Sequence, residues 1–308
     1  LIARRAHADD MIRLLVAVAV WLMSQAGSHA QPQRLISFER RTAVWVANLD
    51  GTGAKKVANG SAPSLSPDGS RLAFTADSSD AKSLKRFIAV ADLGTGKVTV
   101  FKSGIPSENS FNPVWSPHGG QLLFNIHADN DWHLGLVNAD GTGFRYFKKA
   151  APKNTSYWSA CWAPAGQSVY VQDLDNVYQL AFDATERNKW SLRTLFPDGG
   201  CSSGSRFAVS PDGKTLLMDV EMTDEVVRRK DWDGPPPALW TLDLATGKTA
   251  RLTPKGFLAW SGCWLSNEEI LLTTQAAGEK DASVHRLPLG RQARKLLIKD
   301  ARSPSVSR

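Results

Sequence analysis

The sequence predicts an all-β chain folded as a six-bladed β-propeller of four-stranded antiparallel blades. Three observations carry that reading. A strand-turn-strand phrase recurs along the chain, each copy is followed by an apolar run without polar alternation, and the last residues repeat the first strand of the phrase.

The clearest copy of the phrase is Pro63-Ser64-Leu65-Ser66-Pro67-Asp68-Gly69-Ser70-Arg71-Leu72-Ala73-Phe74. Pro67 presets φ for the first corner, Asp68 bonds back to nearby N–H groups, and Gly69 supplies the positive φ that reverses the chain. Variants follow at Trp115-Ser116-Pro117-His118-Gly119, Trp162-Ala163-Pro164-Ala165-Gly166 and Val209-Ser210-Pro211-Asp212-Gly213, with a degraded copy at Trp264-Leu265-Ser266-Asn267-Glu268. With Ser66, Ser116, Ala163, Ser210 and Leu265 as anchors, the intervals are 50, 47, 47 and 55 residues. Such a period fits stacked four-stranded blades rather than one continuous sheet.

Residues 11–30 read as a secretory signal: Arg13 is the positive end, Leu14 to Met23 the apolar stretch, and Ser28-His29-Ala30 a small-x-small site with cleavage expected after Ala30. Leu1 to Asp10 precede Met11 and read either as lying outside the translated start or as an extension of the signal. The stretch is short for a membrane span, no later segment has about 18 uninterrupted apolar residues, and no cysteine follows the cut to carry a lipid. A periplasmic or secreted chain, with residues 31–308 forming one propeller domain, is therefore expected.

Leu35-Ile36-Ser37-Phe38, Ala43-Val44-Trp45-Val46-Ala47 and Lys55-Lys56-Val57-Ala58 read as three strands of a blade that lacks its first. Ser303-Pro304-Ser305-Val306-Ser307 echoes Ala62-Pro63-Ser64-Leu65-Ser66, 42 residues after the fifth anchor, and supplies the missing strand. Joining both ends in one blade pairs edges that an open ring would leave bare. Five complete blades plus this composite give six.

Each blade's second hairpin has its own turn, as at Asp92-Leu93-Gly94-Thr95-Gly96, Asn138-Ala139-Asp140-Gly141-Thr142-Gly143 and Asp243-Leu244-Ala245-Thr246-Gly247. Extra length therefore falls between second and third strands, in the polar loops Ala76–Arg86, His127–His133 and Val220–Ala238. Those loops share one rim, where recognition on a fixed frame usually resides. The runs Leu72-Ala73-Phe74, Leu122-Leu123-Phe124, Val169-Tyr170-Val171, Leu216-Leu217-Met218 and Ile270-Leu271-Leu272 suit strands covered on both faces. Trp115, Trp162 and Trp264 are expected between blades.

Trp-Ser-Pro-x-Gly-x-x-Leu-x-Phe followed by an Asp-Gly-Thr-Gly turn resembles the WD40-like repeat of TolB-type propellers, over about Leu35 to Ser307. The resemblance implies a periplasmic binding propeller of the Tol–Pal envelope type, although the α/β domain that precedes the propeller in that family lies outside the matching stretch. It extends to the propeller of prolyl-oligopeptidase-type enzymes, without their catalytic domain. The Gly-His and Trp-Asp signatures of intracellular WD40 proteins are absent.

Gly200-Cys201-Ser202-Ser203-Gly204 matches the Gly-x-Ser-x-Gly nucleophile elbow in letters, but it leads into a strand rather than a helix and reads as an inter-blade loop. His127, Asp129, Asp131 and His133 are weak metal candidates, since their spacing fits neither a zinc nor a calcium pattern. No catalytic residue, metal or cofactor is assigned. Trp158-Ser159-Ala160-Cys161-Trp162 and Trp260-Ser261-Gly262-Cys263-Trp264 put Cys161 and Cys263 on the face opposite Trp162 and Trp264, as buried small hydrophobes. Only Cys201 lies on a blade close enough to bridge either.

Lysine and arginine number 37 against 30 acidic residues. The excess is scattered, so nucleic acid is not an expected partner, and the chain is expected to be a monomer. A protein or peptide partner is expected at the rim and channel mouth, against Asn109, His127, Trp132, Trp158, Arg206, Trp232 and Trp260. The alternative is a lyase or hydrolase acting on envelope polysaccharide through Asp129 and Asp131. A third reading has Arg286, Arg291, Arg294, Lys295 and Lys299 hold anionic envelope polymers.

Overall fold

The computed structural model describes residues 34–77, 85–148, 156–227, 232, 234–276, 279–290 and 293–308. The expected signal segment and Arg291 lie outside them. Among the described residues no helix is long and apolar enough to cross a membrane.

Six antiparallel sheets form the blades. Blade I holds β1 (Leu35–Arg40), β2 (Ala43–Asn48) and β3 (Lys55–Asn59); blade II holds β4 (Ser61–Leu65), β5 (Arg71–Asp77), β6 (Arg86–Asp92) and β7 (Val98–Val100). Blade III is β8 (Ser110–Trp115), β9 (Gln121–Ala128), β10 (Asp131–Asn138) and β11 (Arg145–Lys148), and blade IV is β12 (Trp158–Trp162), β13 (Ser168–Gln172), β14 (Asn176–Ala181) and β15 (Glu186–Ser191). A single helical turn, α1 (Leu192–Leu195), leads to blade V: β16 (Gly199–Gly200), β17 (Phe207–Val209), β18 (Thr215–Met222), β19 (Pro237–Asp243) and β20 (Thr249–Arg251). Blade VI is β21 (Leu258–Ser266), β22 (Glu269–Gln275), β23 (Ser283–Pro288) and β24 (Lys295–Ile298), after which β25 (Arg302–Val306) pairs with β1 and completes blade I. The inner strands β25, β4, β8, β12, β17 and β21 are successive neighbours around a closed ring.

Hydrophobic burial acts between blades. Each of the six junctions holds its own apolar cluster. Leu72 and Phe74 enter the cluster against blade I while Ala73, between them, enters the cluster against blade III. Alternate residues of a strand thus serve opposite neighbours, which is why the runs carry no polar alternation. Trp115, Trp162 and Trp264 are buried between blades as expected. The Trp115 indole donates to Ser64 O of the preceding blade at 2.9 Å, and that of Trp264 to Ala208 O at 2.9 Å. Cys161 and Cys263 pack into the junctions opposite those of their neighbouring tryptophans. All three cysteines are free thiols.

The Ser-Pro turn forms as expected: Gly69 has φ 70°, its N–H donates to Ser66 O at 2.9 Å, and the Ser66 hydroxyl donates to Asp68 Oδ1 at 2.6 Å. The second-hairpin turns of blades I to V share one device, an aspartate accepting from a threonine hydroxyl and N–H, as in Asp140 with Thr142. These bonds hold the Asp140 carboxyl below the usual range. Blade IV repeats it with Asp183 and Thr185, where Ala184 takes the positive φ that glycine usually provides.

A ring of buried polar side chains runs through the second strand of every blade: Glu39, Thr75, Asn125, Gln172, Asp219 and Thr273. Each follows the last apolar residue of its run. On the inner strands, Ala62, Asn112, Ser159, Ser261 and Ser303 have φ between 49° and 58°, and the ladder register slips beside them. A bulge of this kind leaves an N–H outside the ladder. Glu39, Thr75, Asp219 and Thr273 accept those N–H groups from Ala62, Asn112, Ser261 and Ser303 of the next blade, at 2.7 to 3.0 Å. Asn125 and Gln172 instead donate to carbonyls of the next blade, Tyr157 O and Ser202 O.

The ring is latched at its ends. Leu35 N–H donates to Ser307 Oγ, Ser307 N–H to Leu35 O, and Arg34 to the carbonyls of Ser307 and Leu265. Glu39 Oε2 accepts from Arg302 at 2.8 Å.

Candidate functional site

The inner strands begin at the rim that also carries the connections between second and third strands. The residue five places before the turn anchor is Ser61, Phe111, Trp158, Ser205, Trp260 or Arg302, and in every blade but V it lies just ahead of the bulge. Aromatic rings fill that place in blades III, IV and VI.

Blades II, III and IV bring the main cluster together. Trp132 on β10 meets Phe111 edge-on with ring centres 5.0 Å apart, Trp158 at 5.2 Å and His127 at 4.8 Å. Arg86, at the start of β6, lies over the Phe111 ring at 4.1 Å and within 5.6 Å of the Trp132 ring. Its Nε donates to Asn109 Oδ1 at 2.8 Å, and its own N–H to Glu108 O. Partial burial pulls the Arg86 guanidinium below its usual value, and it remains cationic. The backbone beneath is also fixed, since His127 N–H donates to Asn109 O and the Ser107 hydroxyl to His127 O.

Four of the seven expected contacts, Asn109, His127, Trp132 and Trp158, thus fall in one cluster, in which Asn109, His127 and Trp132 are partly exposed and Trp158 is buried beneath them. Trp232 and Trp260 form a separate pair with ring centres 6.1 Å apart. Arg206 lies in the central channel, away from either cluster's ring contacts. Arg86 and Phe111 are additions to the expected set. Phe111 was legible from its place in the repeat, equivalent to Trp158 and Trp260, whereas nothing in the sequence marks Arg86.

His127–His133 is a strand hairpin rather than a loop. β9 and β10 run on until only Asp129 and Asn130, with φ of 51° and 65°, form the turn. His127 pairs with Trp132 on one face, while the adjacent His133 turns to the other, where it is buried against Tyr146 with Nε2 3.0 Å from Ala128 O. The alternation keeps the two imidazoles apart. Among the described residues no three His, Cys, Asp or Glu side chains are grouped to hold a metal.

Gly200-Cys201-Ser202-Ser203-Gly204 starts on the last residue of β16 and runs toward β17 with no helix following, and the Ser202 hydroxyl accepts from Gly204 N–H. In the basic segment, Arg286 forms a two-pronged pair with Glu269 and Arg294 lies over Phe257 at 4.1 Å. Lys295 and Lys299 remain as exposed cations there.

No family model matches the chain. A TolB homolog of Chlorobaculum tepidum is 29% identical over 124 residues, which are 38% of this chain and 27% of that protein. The chain therefore matches about a quarter of the length of this curated relative. Among solved structures, TolB from Acinetobacter baumannii superposes with a TM-score of 0.63 at 17% identity, covering 89% of this chain and 66% of that one. An oligogalacturonate lyase in complex with manganese superposes with a TM-score of 0.52 at 15% identity, over 81% of this chain and 72% of its own. At these identities the structures show a shared fold. In repeat sequence and in blade architecture, the chain is similar to the TolB-type β-propellers.

Proposed function

We propose that this chain is an exported propeller scaffold that binds a protein or peptide partner at the rim of blades II to IV, without catalysis. The observation that carries the reading is the Arg86, Phe111, Trp132 and Trp158 cluster with Asn109 at its edge. Aromatic and arginine side chains on a fixed backbone are the residues that dominate protein interfaces, because they offer large contact area at little cost in conformational entropy. Arg86 would pair with a carboxylate of the partner and Asn109 with its backbone, while the partly exposed Phe111 and Trp132 rings, backed by the buried Trp158, take an apolar side chain. Likeness to TolB-type propellers supports a binding role.

Affinity capture from an envelope extract tests this reading. Wild-type protein retains a partner that Trp132→Ala and Arg86→Ala lose, both variants keeping the wild-type circular dichroism spectrum. Retention of the same partner by both variants refutes it. The envelope-polysaccharide enzyme remains the competing reading, and Asp129→Ala with Asp131→Ala tests it: loss of a measured glycan cleavage would replace the binding account.

A further inference from the structure

The tip of blade IV holds a leucine where the backbone would take glycine or asparagine at less cost. β13 and β14 are joined by Asp173-Leu174-Asp175, and Leu174 at the apex has φ 77° with its side chain 48% exposed. Among the described non-glycine residues with positive φ, Leu174 alone carries a large apolar side chain. A half-exposed leucine is ordinary on a protein surface, but in this backbone region its Cβ crowds the following carbonyl, a strain that glycine avoids and asparagine tolerates. The conformation is held from several sides. Leu174 N–H donates to Oε1 of the buried Gln172 at 2.6 Å, and the Gln172 amide is itself fixed by donating to Ser159 Oγ and Ser202 O. Asp173 Oδ1 accepts the N–H groups of Asp175 and Asn176, its Oδ2 accepts the Tyr178 hydroxyl at 2.6 Å, and Asp175 O accepts from Leu192 N–H at 2.8 Å.

A strained residue that its surroundings over-determine, left half in solvent, is the pattern of a functional position. The tip stands on the recognition rim, because it joins second and third strands as Asp129-Asn130 does in blade III, and Gln172 at its base pairs with Trp158 of the aromatic cluster. We propose that Leu174 is the rim's projecting anchor, inserted on binding into an apolar pocket of a folded protein partner, with a lysine or arginine of that partner at the pocket edge. A projecting side chain needs a preformed hollow, which a folded surface offers and an extended peptide does not, and filling it removes the leucine's apolar area from water. The exposed Asp175 carboxylate beside it sets the sign of the edge. The inference rests on the reading of this rim as a protein-binding face and adds the kind of partner it takes.

Three measurements on the full chain test it. In urea unfolding, Leu174→Asn is at least as stable as wild type, because asparagine relieves the strain; a lowered midpoint would make Leu174 a structural residue and overturn the proposal. p-Benzoylphenylalanine placed at position 174 and irradiated in an envelope extract joins a folded protein that wild type also retains, at an apolar site with a lysine or arginine beside it. The same group at Val98, 40% exposed on the outer strand β7, does not. No adduct, equal adducts from both positions, or an adduct on an unstructured segment overturns it. In affinity capture, Leu174→Asn retains that protein at least about tenfold less than wild type. Loss of the protein from Trp132→Ala with wild-type retention by Leu174→Asn leaves the rim reading standing and overturns the anchor. Retention by Trp132→Ala with loss from Leu174→Asn supports the anchor and counts against the aromatic cluster.

Discussion

Replacing Glu39 by alanine tests how the ring is held shut. Glu39 is 5% exposed and its two oxygens serve different partners: Oε1 accepts the Ala62 N–H of blade II at 2.7 Å, and Oε2 accepts Arg302 of the closing strand at 2.8 Å. Losing the first leaves a buried N–H unpaired, at a cost of about 2 kcal/mol. The Arg302 side chain is 53% exposed, so the ion pair is screened and adds about 0.5 kcal/mol. The emptied side-chain volume adds about 1 kcal/mol. Glu39→Ala should therefore cost about 3.5 kcal/mol, whereas Glu39→Gln, whose amide oxygen still accepts from Ala62, should cost about 1 kcal/mol. Arg302→Ala should cost under about 1 kcal/mol. Urea unfolding followed by tryptophan fluorescence reads all three. Equal losses in the Gln and Ala variants would mean that the charge, not the inter-blade N–H, holds the junction; a loss below about 1 kcal/mol in the Ala variant would remove the junction's role altogether.

Two further predictions follow from buried titratable groups. Burial lifts the Asp219 carboxyl from 3.8 to about 7, so between those values the folded protein keeps a proton that the unfolded chain has released. Stability should then be greatest below about pH 4 as far as this group is concerned, and fall as pH rises through about 7. Asp219→Asn should flatten that slope and exceed wild-type stability at pH 8, and a steeper or unchanged slope in urea titrations would contradict the assignment. Burial also pushes Cys161, Cys201 and Cys263 up to about 12, keeping them as unreactive thiols. A disulfide-exchange dye should titrate three thiols in denaturant without reductant and react far more slowly with the folded protein; fewer than three would show a bridge.

The fold was legible because its determinants are local and repeated. A Ser-Pro-x-Gly turn and an apolar run recur often enough to count blades, and the echo of Ala62 to Ser66 in Ser303 to Ser307 identifies the closing strand before any contact is seen. The two Trp-Ser-x-Cys-Trp phrases give their own facing, because neighbours on a strand must serve opposite blades. The site was half legible. Asn109, His127, Trp132 and Trp158 were singled out by residue type, yet the turn between β9 and β10 was read as a seven-residue loop because Asp129-Asn130 contains no glycine. Aspartate and asparagine tolerate the left-handed region, so the strands run on and separate His127 from His133. The polar ring was hidden for a different reason. Thr75 or Asn125 looks like the end of an apolar run until the bulge on the next blade supplies an N–H for it. Arg86 depends on long-range proximity, which no spacing encodes.

Hydrogen exchange on the complex with the captured partner measures the central claim most directly. Binding at the aromatic rim predicts slowed exchange in peptides spanning 85–90, 105–115, 126–134 and 156–160, with the Ser-Pro turns at 66–69, 116–119 and 210–213 unchanged. Protection confined to those turns or to the outer strands, with the rim peptides exchanging as in the free protein, would contradict it.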